Sequence, residues 1–311
     1  MSNTASQANV PKKTLLSHKR KSHLIDFLFV LPALALLAVF TYYPIAKLVQ
    51  ISFTDWNLLK PEWNYVGLKN WKWLFAGSGA KYLWNSFKVT LLYSLGELTI
   101  TIVGGMLFAI LFNRMTSGFS AMRAIVFVPK YVAMSSAAMV FLVILNGDYG
   151  ILNYLLGLLG IQGVDWLNTR ATALPSVLMC TGWRVVGYGM MIYLSAMMGI
   201  SSEYYEAASL DGASRPAQFF KITLPLLSPT TLFLLVTTFL SSMKVFQSVD
   251  IMTSGGPSRA TEVFVYLIYR YAMEDFRMDR AATSAIMFFV ILLIVTVSTM
   301  RVSNNTVNYD S

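Results

Sequence analysis

The sequence predicts an all-α polytopic membrane protein with six transmembrane helices. Of its 311 residues, 56% are hydrophobic and only 13% are charged, whereas a soluble domain carries about 25% charged residues. The apolar residues are gathered into six runs, and about 20 apolar residues suffice for a helix to cross a bilayer. We expect spans over residues 24–53, 85–112, 124–145, 173–198, 226–249 and 281–300.

The first apolar run follows a basic start and therefore has to be distinguished from a secretory signal peptide. The apolar region of a signal peptide has about 7–15 residues, but this run continues from residue 24 to residue 53. We therefore expect a retained first span, with kinks at Pro32 and Pro44. Residues 1–23 and 301–311 are expected to be polar tails flanking a transmembrane domain of residues 24–300.

An even number of spans places both termini on the same side of the membrane. The first 23 residues contain five Lys or Arg residues, and a basic first flank favours the cytoplasm. We expect the protein to lie in a bacterial-type cytoplasmic membrane, where lipid surrounds its spans. Both termini are expected on the cytoplasmic side. The loop 54–84 then lies outside, where its aromatic residues suit the membrane–water interface.

Several functional classes are disfavoured by residues that the chain lacks. Its single cysteine, Cys180, lies in an apolar run, and both histidines, His18 and His23, lie in the basic tail. We therefore expect no disulfide, no metal site and no catalytic residues. The chain has no GxxxxGK[ST] phosphate-binding loop. Its basic residues are spread along the chain, so nucleic acid is not an expected partner.

Residues 199–229 lie between the fourth and fifth runs and contain signals for two short helices. Ser201 or Ser202 can cap the first helix, which is expected to end at Asp211-Gly212, because Gly212 tolerates a left-handed conformation. Ser214 can cap the second helix, with Pro216 in its first turn. Two short helices at an angle between membrane spans would protrude from the bundle.

These residues also resemble a known family. Glu206-Ala207-Ala208, Asp211-Gly212-Ala213, Leu224-Pro225 and Pro229 stand in the order and spacing of the cytoplasmic EAA loop of permeases of binding-protein-dependent ABC importers. The resemblance implies that this coupling-helix loop, here called the coupling segment (residues 199–229), docks in a cleft of a separate ATPase. The coupling residues that it implies are Glu206, Ala207, Ala208, Asp211 and Gly212. Without it, the segment is an amphipathic turn in which Glu206 complements a helix dipole.

Short motifs elsewhere resemble the carbohydrate-uptake class of these permeases. They are Ser52-Phe53-Thr54-Asp55-Trp56, Val66-Gly67-Leu68 with Asn70, Asp148-Tyr149-Gly150 with Asn153, Asp165-Trp166-Leu167 and Gly255-Gly256-Pro257. The resemblance implies a transport subunit, not an enzyme, that forms half of a carbohydrate pathway working by alternating access. It implies three partners: a second homologous permease, an ATPase dimer that binds ATP and Mg, and an extracytoplasmic substrate-binding protein. No cofactor is expected in this chain.

The alternative from the residues is an ion-coupled secondary transporter. Such a protein is expected to have several acidic residues within its spans and an internal inverted repeat. Glu97 is the only acidic residue well inside a predicted span, and no repeat is evident. These observations favour the importer.

Charged residues within the spans mark the candidate pathway, because each costs about 2.5–3.5 kcal/mol at a helix centre. Lys88, Lys130, Arg184 and Lys244 outnumber Glu97. The candidate pathway residues are Lys130, Tyr131, Arg184, Tyr188, Tyr193, Lys244 and Gln247. Each of the tyrosines can equally be a helix-packing residue. Two substrate classes remain open: a neutral oligosaccharide, and an anionic saccharide such as a uronate oligomer or a sugar phosphate.

Overall fold

A computed structural model describes residues 26–113 and 117–306. The predicted tail of residues 1–23 lies outside these residues. The described chain is all-α, and its one β-type pairing is an isolated bridge between Thr54 and Tyr65. The helices are α1 Asp26–Ser52, α2 Lys69–Ala76, α3 Gly79–Leu111, α4 Ser117–Phe127, α5 Met134–Ile144, α6 Ile151–Leu158, α7 Ala173–Met198, α8 Ser202–Leu210, α9 Arg215–Leu226, α10 Ser228–Ser242, α11 Gln247–Thr253, α12 Phe264–Tyr269 and α13 Met278–Thr306.

Four of these helices, α1, α3, α7 and α13, are long and apolar enough to cross a membrane singly. Two further candidates are bent pairs: α4 with its following turn bends by 105° into α5, and α9 bends by 60° into α10. The described residues therefore contain six spans if each bent pair is one span. The predicted all-α membrane fold is confirmed.

The first span is one continuous helix, Asp26–Ser52, that runs through both of its prolines. Its turn Ala38–Tyr42 is π-helical and ends two residues before Pro44. Proline has no N–H and its ring crowds the carbonyl four residues earlier, so a wider turn at this point accommodates it. The helix packs on α13 and leaves large apolar side chains exposed, with Phe29 at 82%.

The centre of the bundle is the pair α3 and α7, which approach closely at glycine positions. A Cβ atom on Gly105 would lie 2.7 Å from the backbone carbon of Gly189, and one on Gly189 would lie 2.2 Å from the carbonyl oxygen of Thr101. Only glycine fits between the two backbones at these points, and the small residues Gly105 and Ala109, four positions apart, are typical of such close helix packing. Helix α10 packs on α3, and α11 packs on α5.

The third and fifth predicted spans are not continuous helices. After a 3-10 turn, Val128–Tyr131, the backbone is extended at Val132 and Ala133 before α5 begins. We call this interruption break 1 (residues 128–133). The expected run 226–249 also fails as one helix, because α10 ends at Ser242 and α11 starts at Gln247.

We call the second interruption break 2 (residues 243–246). The hydroxyls of Ser241 and Ser242 just before it donate to the carbonyls of Thr238 and Phe239, each at 2.9 Å. Serine side chains that bond backbone groups in this way weaken and bend helices. The sixth span, in contrast, extends past its predicted end at Met300 to Thr306.

At the end of the bundle opposite residues 199–229, a buried carboxylate joins the last long loop to α3. Glu262 is 0% exposed and pairs with Arg259 at 3.0 Å and with Arg270. Ser86 on α3 donates to the same carboxylate at 3.2 Å. The pairs satisfy a charge that would otherwise be costly to bury.

We expect Glu262→Gln to destabilise the protein, because it removes the buried carboxylate that pairs with both Arg259 and Arg270 and leaves Arg259 without a carboxylate partner. Breaking a buried pair typically costs about 3–5 kcal/mol, which thermal unfolding of the detergent-solubilised protein would measure. The matched control is Glu274→Gln, which removes the other partner of Arg270, at 44% side-chain exposure. An exposed pair contributes about 0–1 kcal/mol. Equal losses for both variants would contradict the structural role of Glu262.

Candidate functional site

Both helix breaks border a polar cavity that residues of α3, α7 and α10 also line. The cavity has two adjoining parts of about 220 and 400 Å³, which share Glu97, Val185 and Ser241. Break 1 contributes Lys130 to the smaller part, and break 2 contributes Lys244 to the larger part. Non-helical backbone at membrane depth is tolerated where it lines such a cavity, because freed peptide groups need polar partners.

The cavity collects most of the charge that the sequence places inside the spans. The side chain of Arg184 on α7 donates to the carbonyl of Lys130 at 3.3 Å and to the sulfur of Met134 at 2.8 Å. The ammonium of Lys130 lies 4.6 Å from the ring centroid of Tyr188, a cation–π contact. With Lys244, three cationic side chains line a cavity that has one carboxylate, Glu97.

Glu97 is the central acidic group of the cavity. It lies on α3, is 7% exposed and lines both parts of the cavity. Its carboxyl group interacts with the hydroxyl of Tyr93, one turn earlier, and is attracted by Lys130 and Arg184. It therefore borders the same space as all three cationic side chains.

Several hydroxyl groups complete the lining, and the sequence reasoning did not identify them. They are Thr101 on α3, Thr181 on α7, Thr237, Thr238 and Ser241 on α10, and Ser248 on α11. The signal for those on α10 was present in the sequence, because residues three and four positions apart share one face of a helix. Polar side chains on one face of an apolar run are typical of a face turned towards a cavity.

The structure brings five of the seven predicted pathway residues together and leaves two elsewhere. Lys130, Arg184, Tyr188, Lys244 and Gln247 line the cavity. Tyr131 does not, because it is 77% exposed and packs edge-on against Phe127. Tyr193 does not either, because it is fully buried and its hydroxyl donates to Thr231 at 3.0 Å. Neither tyrosine lines the cavity as described, and a pathway role for them stays a prediction.

The coupling segment consists of α8 and α9 joined by a tight turn. Ser201 caps α8 by accepting a hydrogen bond from the amide of Glu203 at 3.3 Å. Gly212 has φ +78, and Ala213 N donates to Ala208 O at 2.9 Å while Gly212 N donates to Ser209 O at 3.1 Å. This pair of bonds is a Schellman motif, which ends a helix with a left-handed residue. Ser214 precedes α9, but its side chain makes no capping hydrogen bond.

Side-chain hydrogen bonds fix the angle between the two helices. The hydroxyls of Tyr205 and Thr223 are 2.9 Å apart. The amide of Gln218 donates to the hydroxyl of Ser209 at 3.0 Å and to the carbonyl of Ala213 at 3.2 Å. These polar residues were not singled out from the sequence.

The outer surface of α8 is available to a partner. Glu206 and Ala207 are exposed, Ala208 is half-buried, and Leu210 is 90% exposed. Glu206 and Leu210 border a shallow, mainly apolar groove of about 520 Å³.

Comparison with known proteins relates this arrangement to one family. Residues 101–304 match the family described as binding-protein-dependent transport system inner membrane component. The chain is 32% identical to the Probable ABC transporter permease protein YurN of Bacillus subtilis, over 90% of this chain and 96% of that protein. It is 30% identical to the Trehalose/maltose transport system permease protein MalF of Thermococcus litoralis, over 89% and 93% of the two chains.

The fold also matches a chain in the crystal structure of a bacterial ABC transporter involved in the import of the acidic polysaccharide alginate. The TM-score is 0.80 at 24% identity, and the match covers 94% of this chain and 99% of that one. At this identity the likeness concerns the fold alone.

Proposed function

This chain belongs to the family of binding-protein-dependent transport system inner membrane components, the permease subunits of ABC importers, and we propose that it forms half of a carbohydrate translocation pathway. The observation that carries the proposal is the polar cavity between breaks 1 and 2. Membership of this family favours the importer over an ion-coupled secondary transporter.

The proposed assembly has three other kinds of subunit. A second homologous permease completes the pathway, an extracytoplasmic binding protein delivers the substrate, and an ATPase dimer binds ATP and Mg. The family description names the binding protein, and the absence of a GxxxxGK[ST] loop from the sequence requires a separate ATPase. The complex lies in a cytoplasmic membrane with both termini of this chain inside.

The proposed mechanism is alternating access driven through the coupling segment. Closure of the ATPase dimer would move α8 and α9 as one unit, because Tyr205, Gln218 and the Gly212 turn hold them together. The ATPase would be contacted by Glu206, Ala207 and Ala208. The turn at Asp211 and Gly212 would fix the orientation of α8, which carries these three residues. Helix α9 leads directly into α10, which lines the cavity.

The substrate is proposed to be a carbohydrate, and the cavity charge supports an anionic one. Of the related proteins, one is named for trehalose and maltose and one for the acidic polysaccharide alginate. Lys130, Arg184 and Lys244 against a single Glu97 would offset the desolvation of a uronate oligomer or a sugar phosphate. A neutral oligosaccharide would gain nothing from this excess and is the second candidate.

The orientation of the chain can be tested by labelling single cysteines in a Cys180-free background. Asn64→Cys and Ser258→Cys should react with an impermeant thiol reagent added to intact cells, because the two positions are exposed and proposed to lie outside. Ser214→Cys in the coupling segment should react only after the cells are opened. Labelling of Ser214→Cys in intact cells would contradict the cytoplasmic placement of the segment.

We expect Gly212→Val to uncouple transport from ATP hydrolysis in the reconstituted complex. No atom lies within 4 Å of a Cβ placed on Gly212, so the defect would come from backbone strain and not from a clash. A left-handed residue other than glycine costs about 1–2 kcal/mol, which would favour a rearranged segment by a factor of about 5–30. Substrate-stimulated ATP hydrolysis would measure the loss. Glu206→Ala should cause a milder loss, because it removes one contact and keeps the geometry.

The matched control for Gly212→Val is Gly160→Val. Gly160 has φ +73 with nothing within 4 Å, and it also closes a Schellman motif, in which Ile161 N donates to Leu156 O at 2.9 Å. The strain is therefore the same, but the site lies after α6, outside the coupling segment. Equal effects of the two variants would indicate a general loss of stability and would contradict the coupling role.

Lys130→Gln and Lys244→Gln test the substrate charge. Each removes one positive charge from the cavity, so we expect KM for an acidic oligosaccharide to rise by about tenfold, as for loss of one charged hydrogen bond. KM for the carboxyl-reduced, neutral form of the same oligosaccharide should change little. Lys88→Gln is the control, because Lys88 lies on α3 but is exposed outside the cavity. Equal losses for both oligosaccharides would indicate a neutral substrate.

A further inference from the structure

One face of α3 carries a ladder of three buried polar side chains. Tyr93, Glu97 and Thr101 follow one another at four-residue spacing, which places them on the same side of the helix. They are 1%, 7% and 0% exposed, respectively. Tyr93 and Glu97 line the larger part of the cavity, and Glu97 and Thr101 line the smaller part.

The carboxylate of Glu97 has acceptor capacity that the protein does not fill. A carboxylate offers about four lone-pair positions, and Tyr93, one turn earlier on α3, carries the neighbouring hydroxyl that interacts with it. The ion pairs within 4.0 Å among residues 26–113 and 117–306 all lie between positions 259 and 279. Lys130 and Arg184 therefore attract Glu97 from a greater distance, across the cavity.

Thr101 presents a second unfilled group. Its Oγ1 atom is buried and has no hydrogen-bond partner, although buried hydroxyls almost always have one. The position of its backbone is fixed, because the carbonyl oxygen of Thr101 packs directly on Gly189 of α7. The hydroxyl can both donate and accept, and it lies one turn from Glu97 at the wall of the smaller part.

We propose that Glu97 and Thr101 bind hydroxyl groups of the sugar ring. In this arrangement, the Glu97 carboxylate accepts hydrogen bonds from a neighbouring pair of sugar hydroxyls, and Thr101 exchanges one more. This inference rests on the proposed function, that the cavity is the carbohydrate pathway. A polyhydroxylated ring provides several neutral donors, whereas a cationic ligand of Glu97 would be repelled by Lys130, Arg184 and Lys244.

In this proposal, the cationic residues and the pair Glu97 and Thr101 bind different chemical groups of the substrate. The three cationic side chains would contact any carboxylate or phosphate of the substrate. Glu97 and Thr101 would contact hydroxyls, which acidic and neutral sugars share. Loss of Glu97 should therefore affect both kinds of sugar, whereas loss of Lys130 should affect the acidic sugar selectively.

The test is uptake by the reconstituted complex of an alginate tetrasaccharide and its carboxyl-reduced, neutral form. Glu97→Gln should raise KM for both by about tenfold, the ratio expected when a hydrogen bond to a charged group is lost. Thr101→Val should raise KM for both less, while its melting temperature stays equal or increases, because it removes a buried unpaired hydroxyl. A weaker affinity together with an equal or higher melting temperature in Thr101→Val would exclude a purely structural role of Thr101.

The control is Thr99→Val, two residues after Glu97. Thr99 is exposed, and its hydroxyl donates to the carbonyl of Leu95 on its own helix at 2.8 Å, so KM should not change. Unchanged KM in Glu97→Gln, with the Lys130→Gln effect intact, would overturn the proposal and leave the pathway assignment standing. A fall in KM for the acidic sugar alone would also overturn it, since Glu97 would then be only a counter-charge. If Glu97→Gln does not fold, an unchanged KM in Thr101→Val overturns it.

Two outcomes would contradict the proposed function itself. If neither oligosaccharide is taken up by the wild-type complex, the carbohydrate assignment fails, and this inference fails with it. If uptake is normal and none of Lys130→Gln, Lys244→Gln and Glu97→Gln changes it, the cavity is not the pathway.

Discussion

The structure depends on one constraint: within a membrane, every backbone N–H and C=O group needs a partner inside the protein. Continuous helices such as α3 and α7 meet this requirement along most of their length. Breaks 1 and 2 do not, since residues 128–133 and 243–246 leave the α-helical hydrogen-bond pattern. They are tolerated because they border a polar cavity and because Arg184 donates to the freed carbonyl of Lys130.

The same constraint explains where the charged side chains lie. Lys130 and Lys244 lie at the two breaks, where unpaired peptide groups already require a polar cavity. Their ammonium groups line that same cavity. Glu97 lies opposite on an unbroken helix, held in place by the close contact between α3 and α7 at Gly105 and Gly189. Charge, helix breaks and glycine packing are therefore parts of one arrangement around the cavity.

The motifs by which the chain resembles carbohydrate permeases lie mostly away from this cavity and have structural roles. Asn70 donates to the carbonyls of Ser52 and Thr54 at 3.0 and 2.7 Å. Asn153 donates to the carbonyl of Val164 at 2.9 Å and accepts from the indole of Trp166 at 2.8 Å. These residues stabilise loops at the end of the bundle opposite the coupling segment. They therefore identify the family without identifying a substrate.

The sequence by itself determined the features that depend on local chemistry. Apolar runs predicted the membrane fold, and Gly212 predicted the turn of the coupling segment, because a left-handed residue is a local requirement. Only the tertiary structure decided which side chains meet. Tyr131 and Tyr193 look like Tyr188 in the sequence, but one faces outward and the other is buried against Thr231. The helix breaks were not predicted for the same reason. An apolar run by itself predicts one continuous helix, and only a cavity and a distant partner such as Arg184 allow that helix to be interrupted.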